Sequence, residues 1–405
     1  MIFKRLRSLL LPLAVCLPLG ALAGPYSNLF VFGDSLSDSG NNYLAGAYDS
    51  MQSVSSNTYI PSYTYDRGTN SFGTYSNGPT WVSSFASALG LNVLPSLLGG
   101  TNYAFGGAQT SLDGPPQTGG FPYSLTTQVG QYLGGLSGPA DSGARYVVAG
   151  GGNNARAAAA ALAQPGLSQA QQLAIIAANA FNFATDIGKM VDALQAAGAK
   201  NIIVWNAPNL GLTPFAGATG GQGVGAFLAQ TMNAQLGLEL ADEIDVKIFD
   251  LYGQIGNIFA NPWAYNLTNV TDACGAAINN CDPATALFWD GIHPTAAGHA
   301  YIASQIDRYR LNPGVDYWEG WNEFVPVDDN RLTWYTRFEA HRACALQALG
   351  FKAAVGGFSV CVPEYAQMAV FLPALEAAYR CGGIFHLHEY NSPTLSCGVT
   401  TNQTG

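Results

Sequence analysis

Charge is scarce in this chain. Asp, Glu, Lys and Arg make up 10% of its 405 residues, against about a quarter in an ordinary globular protein. What charge there is leans one way, with 26 acidic residues, 16 basic ones and a formal net charge of −10. An acidic surface repels phosphate backbones, which argues against nucleic acid as a partner. Sustained apolar runs are missing after residue 23, so no later segment offers the roughly 20 residues of a membrane span. Histidine is sparse: there are five, and only His293 and His299 lie before residue 340. No Cys-x-x-Cys spacing occurs, so no metal site is expected.

The N-terminus does carry a recognisable address. Lys4, Arg5 and Arg7 form a basic region, Leu9 to Leu19 an apolar stretch, and Ala21-Leu22-Ala23 a small-residue cleavage site. Residues 1–23 are therefore expected to be a secretory signal cleaved near Ala23, with a retained anchor as the alternative. Cleavage removes three basic residues and moves the formal charge from −10 to −13. Export to the periplasm or beyond suits the cysteines. Cys274 and Cys281 flank a turn-like stretch and are a candidate disulfide, whereas the pairing of Cys344, Cys361, Cys381 and Cys397 stays open.

Short apolar runs alternate with helical patterns up to about residue 310. Strand candidates are Leu29–Phe32, Tyr146–Ala149, Ile202–Trp205 and Val246–Phe249. Helix candidates include Thr80–Leu89, Ser168–Ala197, Phe227–Asp242 and Thr295–Tyr309. This alternation predicts an α/β fold with a parallel sheet and helices on both faces. Residues 40–78 are rich in Tyr, Ser and Asn without helical period. So long an excursion reads either as a lid or wall over a site or as an irregular surface loop. Composition shifts near Asn312-Pro313-Gly314, which sets expected units of 24–312 and 313–405.

Four strings carry the chemistry. Phe32-Gly33-Asp34-Ser35-Leu36-Ser37-Asp38 places a serine in a turn directly after an apolar run. Trp289-Asp290-Gly291-Ile292-His293-Pro294 places an acid and an imidazole three positions apart. A serine hydroxyl is a weak nucleophile unless a base takes its proton and a third group holds that base in one tautomer. Asn102-Tyr103-Ala104-Phe105-Gly106-Gly107-Ala108 and Gly150-Gly151-Gly152-Asn153-Asn154 offer backbone and side-chain N–H donors for a developing oxyanion. Each residue also has a structural reading: Ser35 as a helix or turn cap, Asp34 as a turn brace, Gly107 and Asn153 as turn residues. His299 reads as structural.

Taken in order, these strings resemble the GDSL, or SGNH, hydrolases over about residues 27–308. The resemblance implies Ser35 as nucleophile, His293 as general base and Asp290 as its orienting carboxylate. It implies an oxyanion hole of the Ser35 amide, Gly107 and Asn153, and it calls for no metal or organic cofactor. The Asn153-Asn154 pair departs from the Asn-Asp of many members. The implied fold is a flavodoxin-like three-layer α/β/α sandwich with a five-stranded parallel sheet, followed by a short C-terminal α/β extension. Residues 313–390 resemble something else, a fragment of a clan A glycoside hydrolase barrel. Trp321-Asn322-Glu323 and Phe385-His386-Leu387-His388-Glu389-Tyr390 carry that likeness. A whole barrel needs about 250 residues, so Glu323 is read as noncatalytic. The expected activity is an exported serine ester hydrolase acting on lipid or short-chain acyl esters. Acetylated polysaccharide is the alternative substrate, and a non-enzymatic carbohydrate-binding surface protein is the rival of another class. The expected partners are a small-molecule ester or a lipid or polysaccharide surface, with no obligate protein partner.

Overall fold

The computed structural model describes residues 26–65, 73–311, 317–320, 324–326, 328–348, 352–358, 362 and 367–387. The signal region, Cys361, Cys397, Trp321-Asn322-Glu323 and His388-Glu389-Tyr390 lie outside the described residues. So do residues 312–316, on which the expected boundary falls.

Strand β1 (Leu29–Gly33) leads into a short helix α1 (Asn41–Leu44), two paired two-residue strands, β2 (Tyr48–Asp49) and β3 (Thr64–Tyr65), and helix α2 (Trp81–Ala88). Helix α3 (Leu125–Gly134) precedes β4 (Arg145–Ala149). Helices α4 (Gly152–Leu162) and α5 (Gln169–Ala196) follow, then β5 (Ile202–Trp205). After it come α6 (Pro214–Thr219), α7 (Gln222–Glu239), β6 (Val246–Phe249) and α8 (Leu251–Ala260). A small parallel pair, β7 (Asn269–Ala273) and β8 (Ala286–Phe288), precedes α9 (Ala296–Leu311).

The central sheet runs β1-β4-β5-β6, every pair parallel. Alternation along each strand divides the core. Tyr146 and Val148 face α3, α5 and α7 with Phe32, Ile202 and Val204. Val147 and Ala149 face α2, α8 and α9 with Leu29, Val31, Ile203 and Trp205. Three layers result. Where both faces are covered the strands read as apolar runs, as in β5, whereas β6 carries the exposed Lys247.

Four strands are regular; the fifth place, beside β1, is filled by Thr101–Phe105. There Val31 N–H donates to Thr101 O (3.1 Å), Tyr103 N–H to Val31 O (2.7 Å) and Phe105 N–H to Gly33 O (3.1 Å). The long α5 starts at a capping box built by Ser168 and Gln171.

Residues 318–387 form a second α/β unit. Strands β9 (Trp318–Glu319), β10 (Ala353–Phe358) and β11 (Ile384–Leu387) alternate with α10 (Asp329–Ala348) and α11 (Met368–Arg380). The strands pair in parallel in the order β11-β10-β9. Leu332, Tyr335, Val355, Phe358 and Phe371 make its core. Cys344 and Cys381 are joined there, as are Cys274 and Cys281 in the first unit. Among the described residues no helix is long and apolar enough to cross a membrane.

Candidate active site

The first strand ends where no side chain fits. A Cβ on Gly33 would lie 2.7 Å from the Ala149 carbonyl oxygen and 2.9 Å from Ser37. The chain then turns, with Ser37 N–H and Asp38 N–H both donating to Asp34 O. Gln128, buried on α3, clamps the strand end. Its Oε1 accepts from Gly33 N–H at 2.8 Å, and its Nε2 donates to Gly33 O at 2.9 Å. Asp34 accepts from Leu36 N–H and is otherwise sealed from solvent; burial pushes its carboxyl up to about 6. Asp38, fully buried, accepts from the backbone N–H groups of Gly40, Asn41, Asn42 and Gly106. It thereby ties the serine turn to the double-glycine loop.

Ser35 sits on this turn and meets the second string. His293 Nε2 lies 2.9 Å from Ser35 Oγ, and its Nδ1 lies 2.8 Å from Asp290 Oδ2. Asp290 is wholly buried. Its Oδ1 accepts from the N–H groups of Ile292 (2.9 Å) and His293 (2.8 Å), and Oδ2 also accepts from the Tyr65 hydroxyl (2.9 Å). A carboxylate is acceptor-only, so the imidazole proton belongs on Nδ1, which leaves Nε2 free to accept from a hydroxyl. Serine, histidine and aspartate, 258 residues apart at the widest, are thus in line.

The donors proposed for the oxyanion border the same space. Gly107 adopts φ +87°, a left-handed conformation that favours glycine. Gly106 needs glycine for another reason: a Cβ there would strike the Tyr75 ring at 2.1 Å. Asn153 lies in the first turn of α4. Its Nδ2 donates to Ala108 O (2.9 Å), and its Oδ1 accepts from Arg156 Nη1 (3.3 Å). Asn154, next to it, points the other way and bonds both Thr110 N–H and Thr110 Oγ1. The second asparagine of the pair therefore fastens the 107–110 loop.

A groove of about 690 Å³ opens from this point, lined by Gly107, Asn153, Arg156, Ala159, Ala163 and Phe215 among others. A smaller cavity of about 40 Å³ adjoins it and contains Ser35 and His293. Of residues 40–78 only Ile60 lines either space among the described residues. None of the described aromatic side chains of that segment lines the groove; the segment reaches it through Ile60. His299, also buried, contacts neither space; burial lowers it to about 3, and its Nδ1 has no partner among the described residues. Also among the described residues, no group of three or more His, Cys, Asp or Glu is placed to hold a metal ion.

Sequence reasoning overlooked Gln128 and Arg156, and it did not foresee the contacts made by Tyr65 and Asn154. Asn154 and Arg156 lie within three residues of Asn153, whereas Tyr65 and Gln128 meet Asp290 and Gly33 through contacts 225 and 95 residues apart in sequence.

The family model for GDSL-like lipase/acylhydrolase proteins matches residues 29–306, and the chain belongs to that family. An uncharacterized protein from the trpE-trpG intergenic region of Pseudomonas putida is 30% identical over 311 residues. The match covers 70% of this chain and 48% of the relative. Lipase 1 of Photorhabdus luminescens is 34% identical over 194 residues, covering 47% of this chain and 24% of the relative. The chain thus spans half the length or less of these two curated relatives. Among solved structures, Est24, a carbohydrate acetylesterase from Sinorhizobium meliloti, is similar at 15% identity. That match covers 71% of this chain and 99% of the other, with a TM-score of 0.39.

Proposed function

We propose that this chain hydrolyses carboxylic esters through an acyl-enzyme on Ser35. The observation that carries the reading is the unbroken line Ser35–His293–Asp290, at 2.9 and 2.8 Å. Ser35 Oγ attacks the ester carbonyl while His293 Nε2 takes its proton. The tetrahedral oxyanion is received by the Ser35 and Gly107 N–H groups and the Asn153 amide, each such donor being worth about 3–4 kcal/mol. Asp290 stabilises the imidazolium, and His293 then protonates the leaving alcohol. A water deprotonated by the same nitrogen releases the acid and restores Ser35.

Lipid or short-chain acyl esters are the substrates the groove favours. Its walls are largely alanine and other apolar side chains, and among the described residues no aromatic side chain from residues 40–78 lines it for stacking sugars. Export, cleavage near Ala23 and a noncatalytic barrel-like role for residues 313–405 remain parts of the same proposal. The two disulfides suit an oxidising compartment.

Ser35→Ala tests the reading. Turnover of p-nitrophenyl esters is expected to fall by roughly 10⁴-fold or more, and labelling by a fluorophosphonate probe should disappear. Near-wild-type turnover would overturn the assignment. A panel of acyl-chain lengths set beside acetylated xylan separates the two substrate classes.

A further inference from the structure

The excursion between α1 and α2 is largely polar, yet Thr64, Tyr65, Thr74, Tyr75 and Ser76 in it are buried. Its destination explains this. Tyr59 O accepts from Gly291 N–H (2.8 Å), Ser76 Oγ donates to Pro294 O (2.8 Å), and Asn77 Oδ1 accepts from Ala296 N–H (2.6 Å). The Tyr75 ring lies 5.3 Å from the His293 ring, and Tyr65 meets Trp289 edge-on at 6.2 Å. Every one of these contacts grips the turn that carries Asp290 and His293.

We infer that this segment is a brace for the acid–base pair, and that Tyr65 is the positioning residue through which it acts. The inference rests on the esterase reading. A fully buried carboxylate has no water to satisfy it, so its oxygens must find donors in the protein. Backbone N–H groups of the turn serve Oδ1. Oδ2 has the imidazole and, from 225 residues away, the Tyr65 hydroxyl. That second donor fixes the carboxylate plane so that Oδ2 faces Nδ1–H. It also withdraws charge from Oδ2, which weakens the pull of Asp290 on the imidazolium.

Other titratable groups face the pair from every side: Asp34 on the serine turn, Arg156 on α4, His299 on α9, and Tyr59 and Tyr75 on the excursion itself. Among the described residues none of them hydrogen-bonds Oδ2. Tyr65 is 4% exposed and packs with Val54, Ala273 and Ala276. Phenylalanine would therefore keep the packing and remove the hydroxyl that donates to Asp290.

The test is Tyr65→Phe, read by kcat and KM across pH and by the proton resonance of His293 Nδ1–H. The expected result is a kcat about tenfold lower with KM within about twofold. The acid limb of the rate profile should move to higher pH by about half a unit, because an unrelieved Asp290 holds the imidazolium more firmly. Placing 3-fluorotyrosine at position 65 makes a stronger donor of the same shape, and the limb should move to lower pH. That replacement carries the test should Tyr65→Phe fail to fold. An unmoved limb and an unshifted Nδ1–H resonance overturn the brace, whether or not kcat falls. The resonance needs no turnover, so a wild-type protein inert towards esters would sink the esterase reading while leaving the brace to be judged separately.

Discussion

The two α/β units of this chain each bury a carboxylate completely, and in each the carboxylate is paired with a nitrogen base three residues on. In the first unit the pair is Asp290 and His293; in the second it is Glu339 and Arg342 on α10, with N···O at 2.6 Å. What separates them is the partner's spare capacity. Arg342 spends its remaining donors on backbone, giving Nη1–H to Trp318 O and Nη2–H to Ala354 O. Its charge is permanent and its hydrogen bonds tie α10 to the strands. His293 keeps one nitrogen for a hydroxyl beside an open groove. One spacing of acid and base therefore serves architecture in one unit and proton transfer in the other. The free valence of the base decides which.

The comparison breaks most sharply at the bases themselves. His293→Ala is expected to lower kcat by roughly 10⁴- to 10⁶-fold, as for other catalytic bases of serine hydrolases. Thermal unfolding should show a folded protein, and a variant retaining more than a few percent of the rate would remove the contrast. Arg342→Met is the mirror case. It leaves Glu339 buried without its cation, and breaking such a pair lowers stability by about 3–5 kcal/mol. Denaturant unfolding should report the loss in the second unit, with kcat unchanged. Burial already raises the Glu339 carboxyl, against the pull of Arg342, so the deficit should shrink as pH falls and the unpaired acid takes up a proton.

A third, smaller effect sharpens the contrast within the first unit. Asp34 is held at about 6, against 3.8 in the unfolded chain. A folded-state value above the unfolded one means that the ionised form destabilises the fold. That penalty is present above pH 6 and is relieved as pH falls from 6 towards 3.8. Asp34→Asn is thus expected to gain up to about 3 kcal/mol at pH 8. The gain should fade below pH 4 in a series of melts, and a pH-independent difference would refute the assignment.

Legibility followed range along the chain. Ile202–Trp205 could be read to the residue, because an apolar run of that length announces a buried parallel strand, and Val246–Phe249 could be read to the residue although it carries the exposed Lys247. The serine and the acid–imidazole turn stood out through local spelling alone. The fifth place in the sheet did not, since Thr101–Phe105 joins it by three backbone bonds around Asn102 and carries no β-branched run. The contacts of the aromatic excursion were hidden for a related reason. Tyr65 and Tyr75 look from their composition like residues that greet a ligand, and only the folded chain shows them turned inward against Asp290 and His293. Arg156 sits four residues past Gly152 in an alanine-rich helix, where nothing nearby hints that it reaches Asn153.

The grip of Gln128 on both polar atoms of Gly33 has a mechanical meaning. The last rung of the nucleophile's strand is completed by a side-chain amide standing in for a peptide group, and that amide is mounted on α3. The elevation of the serine hydroxyl above the sheet is consequently geared to the seating of a helix outside the groove. Repacking α3 against its neighbours is then a way to retune the hydroxyl from a distance, like turning a screw on the back of an instrument.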